Sequence, residues 1–127
     1  MTRAVLEGVS FGLRDSLELV KGLGVPIEQV RASGGGARSE LWRQIQADVF
    51  NTELVVINVT EGAAFGAALL AGVGAGVYGS VQEAVGAAVR VVSRTPVQPG
   101  PAAVYERLYP LYRGLYTALK PTFDALA

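Results

Sequence analysis

The stretch VRASGGGARSELWRQIQADVFNTELVVINV, Val30–Val59, decides the fold. It opens on a short candidate strand, Gln29–Ser33, which Gly34–Gly36 break. From Ala37 to Phe50 the spacing predicts a helix that buries Leu41, Trp42, Ile45 and Val49. Asn51 can end that helix in the left-handed conformation. Leu54–Val59 is a continuous, largely β-branched apolar run, the pattern of a strand covered on both faces. Strand, helix and strand in this order predict an α/β fold with parallel strands.

Working outward, Val5, Leu6, Val9, Leu13, Leu17 and Val20 repeat every three or four residues. Arg3, Glu7, Ser10, Arg14, Glu18 and Lys21 form the opposite stripe, so the N-terminal segment reads as an amphipathic helix with Arg3/Glu7 and Arg14/Glu18 as i,i+4 pairs. Gly22, Gly24 and Pro26 stop it. After the second strand, Thr60 can cap a third helix running from about Glu61 to Gly74. Ser80–Glu83 is a capping-box pattern for a short fourth helix, and Val89–Thr95 reads as extended. The connector Pro96–Pro101 leads into a final helix carrying Tyr105, Tyr109, Tyr112 and Tyr116, which Pro110 is expected to kink or break. The tyrosines and Leu108, Leu111, Leu115 and Leu119 read as a packing seam. So short a sheet leaves an edge bare unless another strand covers it.

The chain has 127 residues, half of them hydrophobic, with 11 basic and 11 acidic side chains. That balance gives no drive for nucleic-acid binding. Without cysteine there is no disulfide or thiolate chemistry, and without histidine neither zinc nor a histidine base is expected. The longest weakly polar run, Gly62–Tyr78, is short for a bilayer span, so no membrane partner and a cytoplasmic location are expected.

A strand, a glycine turn and a helix start form a generic anion or nucleotide site, because the first helical N–H groups lack internal partners. The same residues also make a bare tight turn, and spacing alone does not choose. The stretch has no lysine for a Walker A loop, and Ser39 stands where a dinucleotide fingerprint needs its third glycine. A second small-residue helix start, Gly62, Ala63, Gly66 and Ala67, follows the second strand. The two starts are expected side by side at the carboxyl ends of parallel strands.

GGGARSELWRQIQADVFNTELVVI followed by EGAAFGAALLAGVGAGVY resembles the C-terminal part of the FGGY carbohydrate kinases, of the xylulokinase kind. RAVLEGVSFGLRDSLELVKGLG and YERLYPLYRGLYTALKPTF resemble the helices on either side in that family. The resemblance implies a partial ribonuclease-H-like domain of the actin-like ATPase fold, with a short parallel sheet flanked by helices. It implies enzymes that move the γ-phosphoryl of ATP, with Mg2+, onto a sugar hydroxyl. Carried onto this sequence, Gly34, Gly35, Gly36 and Ala37 approach ATP or ADP by their backbone. Ser39 and Glu40 stand at the helix start, near adenine or ribose. Glycerol kinases carry asparagine around Glu40. The segment Glu61–Ala68 would help wall the same pocket.

In the family, the sugar site, the catalytic aspartate and the phosphate loops all precede this region. Residues 1–127 are therefore expected to be the C-terminal part of the second domain, with the N-terminal sugar-binding domain absent. Asp15, Asp48 and Asp124 do not match the catalytic motif and read as solvated helix residues. No catalytic residue or metal ligand is assigned in this chain, which alone is expected to be inactive. The other readings are a non-enzymatic interaction module, forming a homodimer through the sheet edge, and one subunit of a split kinase.

Overall fold

The computed structural model describes residues 1–126. Along the chain run α1 (Thr2–Gly22), β1 (Val30–Ala32), a 3-10 turn (Gly35–Arg38), α2 (Glu40–Phe50), β2 (Leu54–Ile57), α3 (Gly62–Gly74), α4 (Val81–Ala88), β3 (Val91–Thr95) and α5 (Pro99–Leu126). The strands lie in the order β1-β2-β3. β1 and β2 are parallel, with Val30 opposite Leu54, as the strand–helix–strand pattern requires. β3 joins antiparallel with a register shift at Val56/Ile57, so the sheet is mixed rather than wholly parallel. Asn58 holds β3 in place. Its backbone N–H donates to the Arg90 carbonyl, its Nδ2 donates to the Ala88 carbonyl, and its Oδ1 accepts from the Arg90 N–H.

The core joins α1, α2, β2 and α5 through Phe11, Ile45, Ala47, Val49, Phe50, Leu54, Tyr105 and Tyr109. Ser39 starts α2 by accepting from the Trp42 N–H, and Asn51 ends it at φ +48. The helix therefore begins at Glu40 rather than Ala37, and Leu41 in its first turn is exposed. In β2, Leu54 enters the core and the next residue, Val55, faces the opposite way and is also fully buried. Ile57 is only half-buried, so the strand is covered on both faces for part of its length. Ser80 caps α4 as its sequence predicts, with Glu83 Oε2 accepting from Gly79 N–H. Thr60 does not cap α3, whose N-cap position is Glu61, without a side-chain hydrogen bond.

The inner face of α1 shares only Leu6 and Leu17 with the apolar stripe. Ser10, Phe11 and Arg14 are buried, while Val5, Val9, Leu13 and Val20 are exposed. The reason is polar complementarity with α5. Arg14 donates from Nη1 to the Val49 carbonyl and from Nη2 to both Glu106 oxygens at 2.8 and 2.9 Å, and its guanidinium lies 4.2 Å from the Tyr109 ring centroid. Arg3 and Tyr105 both donate to Glu7, at 2.8 Å each. Phe11 packs against Tyr105, Tyr109 and Tyr112, which makes these three tyrosines the seam and leaves Tyr116, Leu108, Leu111, Leu115 and Leu119 exposed.

α5 continues through Pro110, because proline removes only one helix donor and the tyrosines on either side are anchored on α1. Asp48 is not a solvated helix residue either. It is buried and accepts from the Gln98 N–H at 2.7 Å and from Gln44 Nε2 at 3.0 Å, tying α2 to the start of α5. Asp15 accepts from Tyr109 Oη at 2.6 Å. Among the described residues no helix is long and apolar enough to cross a membrane.

Burial, reinforced by the hydrogen bond to the Asp15 carboxylate, pushes the Tyr109 phenol up from 10.0 to about 12. The unfolded chain therefore loses this proton first as pH rises. The contribution to stability is complete below about pH 10 and is lost as pH rises towards 12. Urea unfolding in this alkaline range should show that decline, and Tyr109→Phe should flatten part of it. A Tyr109→Phe profile of unchanged shape would contradict the assignment.

Candidate functional site

Gly34–Glu40 lies between the carboxyl end of β1 and the first turn of α2. Three adjacent glycines serve three different ends. Gly34 sits at φ +80, a backbone conformation that residues with a side chain rarely adopt. At Gly36 a Cβ would stand 2.7 Å from Trp42 Cζ3, so the indole ring needs the glycine. Gly35 is exposed, has no positive φ, and a Cβ there would meet nothing within 4 Å. Neither conformation nor packing accounts for its missing side chain.

Ala37 is buried and belongs to the turn's support. Ser39 is occupied by its cap to the Trp42 N–H at 3.3 Å. Glu40 projects outward, 92 % exposed, and reaches Arg43 only at 3.9 Å. Arg43 bends back under the turn and donates from Nη1 to the Ala37 carbonyl. Trp42 and Arg43 were not foreseen as parts of this site. The signal for them is that helical side chains lean towards the N-terminus, so a bulky first turn covers the segment before it.

The start of α3 is the second element of the site, and a Cβ at Gly62 would lie 3.8 Å from Ser33 Oγ at the end of β1. The two small-residue helix starts thus stand side by side, as the sequence suggests. A depression of about 340 Å³ at the α3 start is lined by Asn58, Val59, Thr60, Glu61 and Phe65. Another of about 240 Å³ at the α2 start includes Glu40, Arg43, Gln44 and Thr95. Neither is lined by Gly34–Ala37, of which Gly35 is exposed and Ala37 buried. Two buried N–H groups without an acceptor among the described residues, Trp42 Nε1 and Arg43 Nε, belong to the residues packed on this turn. No group of three potential metal-ligating side chains converges anywhere in the described residues.

Helix starts after adjacent parallel strands are where open α/β sheets bind ligands. Comparison with known proteins makes the class specific. Residues 1–75 match the FGGY family of carbohydrate kinases, C-terminal domain, and the chain belongs to that family. It is 36% identical over 124 residues to the xylulose kinase of Bacillus subtilis (strain 168), covering 98% of this chain and 25% of the relative. The crystal structure of ligand-bound xylulose kinase from Lactobacillus acidophilus superposes with a TM-score of 0.91 at 27% identity, over 100% of this chain and 26% of that one. Gluconate kinase from the same organism gives 0.89 at 28% identity, again over 100% and 26%. The chain thus has the fold of part of an actin-like ATPase domain and spans about a quarter of the length of these relatives.

The separate duties of the glycines can be read by substitution. Gly36→Ala should lose about 1–3 kcal/mol of stability in denaturant, because the ring or the turn must shift. It should also change the emission of Trp42, the one tryptophan in the chain. Gly35→Ala should match the parent or slightly exceed it, by less than ~1 kcal/mol. Equal losses at both positions would refute this division.

Proposed function

We propose that residues 1–127 form the C-terminal part of the nucleotide-binding lobe of an ATP-dependent sugar kinase of the xylulokinase kind. The observation that carries this reading is Gly35, whose missing side chain leaves open backbone between a positive-φ glycine and a capped helix start. Gly34, Gly35, Gly36 and Ala37 would approach ATP or ADP by backbone, with Ser39 and Glu40 beside its adenosine part. The start of α3 would form a second wall. Backbone N–H groups at a helix start favour an anionic ligand, and glycine removes the steric barrier to close contact.

Mg2+ would be held through the nucleotide phosphates, its ligands lying outside this chain, and would supply charge neutralisation for phosphoryl transfer. The chain's own contribution is to bind and orient the nucleotide. Transfer to a sugar hydroxyl belongs to the whole kinase, with the sugar and its general base on the other domain, and the location is cytoplasmic.

The test is an ADP titration followed by NMR of the backbone amides. Saturable shifts at Gly34–Glu40 are expected, with affinity about tenfold lower in Gly35→Ala, equivalent to about 1.4 kcal/mol. No shift at millimolar ADP, or equal affinity in the variant, would overturn the reading.

A second reading rests on β1. It has one neighbour in the sheet, and beside it lies a groove of about 460 Å³ lined by Leu13, Leu17, Val20, Val30, Ala32 and Phe50. An unpaired edge next to apolar side chains favours pairing with a second copy of the chain, or with the partner subunit of a split kinase. Light scattering on the chain alone should then give a mass that rises with concentration. A monomer mass at every concentration would remove the homodimer.

A further inference from the structure

Arg43 is a charged side chain packed beneath the glycine turn. Its side chain is 13 % exposed, yet among the described residues the carboxylate it pairs with, Glu40, stands 3.9 Å away. Its Nε is buried without an acceptor, and Nη1 donates to the Ala37 carbonyl. Holding a largely buried guanidinium with one good acceptor is costly for stability alone. That acceptor belongs to the segment whose shape decides whether Gly35 faces a ligand.

We infer that Arg43 is a positioning residue, which locks the Gly35–Arg38 turn through the Ala37 carbonyl and so presents the open Gly35 backbone to the nucleotide. This rests on the nucleotide reading given above. Arg43 does not itself touch the ligand. A 3-10 turn is held by few backbone hydrogen bonds, and here the Ser39 N–H reaches the Gly36 carbonyl at a long 3.3 Å. The charge-assisted bond from Arg43 is the stronger restraint. Trp42 closes the other side by standing over Gly36.

The experiment compares Arg43→Met and Arg43→Lys with the parent in calorimetric ADP titration, thermal unfolding and amide hydrogen exchange at Gly35–Ser39. Arg43→Met keeps an aliphatic stem but no donor, and it should bind ADP about tenfold more weakly, as expected for loss of one charge-assisted hydrogen bond. Its turn amides should exchange faster while those of Ile45–Phe50 stay protected. Arg43→Lys retains a charged donor and should recover most of the affinity, which a purely structural role would not require.

ADP affinity in Arg43→Met equal to the parent's would overturn the inference and leave the nucleotide reading standing. So would Arg43→Lys as weak as Arg43→Met, or, if Arg43→Met does not fold, Arg43→Lys binding with unprotected turn amides. A parent that does not bind ADP would overturn both.

Discussion

Helix α2 must bury Ile45, Ala47, Val49 and Phe50, and α1, α5 and β2 share the task of covering it. The helix contributes to the fold in a second way through its polar groups. Asp48 receives the N–H that precedes α5, and the Val49 carbonyl receives Arg14 from α1. Apolar burial supplies the drive, and these two bonds fix where the flanking helices sit. The same helix begins at the glycine turn, so the buried end is a rigid base for the open end. Trp42 and Arg43 transmit that rigidity backwards onto the turn.

Much of this was legible from periodicity and punctuation. The βαβ order, the left-handed Asn51, the Ser80 cap and the neighbouring helix starts follow from local rules of backbone and capping. What was not legible depends on partners distant in sequence. Arg14 lies on the polar stripe of α1, and nothing local says that Glu106 and Val49 will receive it. Asp48 looks like a surface residue until the start of α5 is placed against it. The start of β3 is tied to the end of β2 by a carboxamide, that of Asn58, which bonds Ala88 and Arg90 from 30 and 32 residues away. In the glycine turn, the sequence reading treated the three glycines as equivalent. The structure separates them into a backbone requirement, a packing requirement and one position free of both.

Part of the exposed stripe of α1, Leu13 and Val20, lies beside the bare edge of β1. This belongs with the relation to the longer kinases, in which the matching segment is about a quarter of the chain. The apolar groove at that edge includes Leu13, Leu17 and Val20 of α1 and Val30 of β1. Periodicity therefore identified a stripe of α1 that is divided: Leu6 and Leu17 pack against the core, while Val5, Val9, Leu13 and Val20 stay exposed.

Helix α3 carries a different implication. It has no buried residue, contains four glycines, and makes its main contacts with α4 rather than with the core around α2. Few buried contacts mean a low free energy of local opening. The two sides of the candidate site thus belong to parts of unequal rigidity: the α2 side is anchored in the core, and the α3 side can loosen while the core stays folded. A ligand held between them would tie the softer part to the harder one, so that occupancy is felt chiefly as a damping of motion in α3.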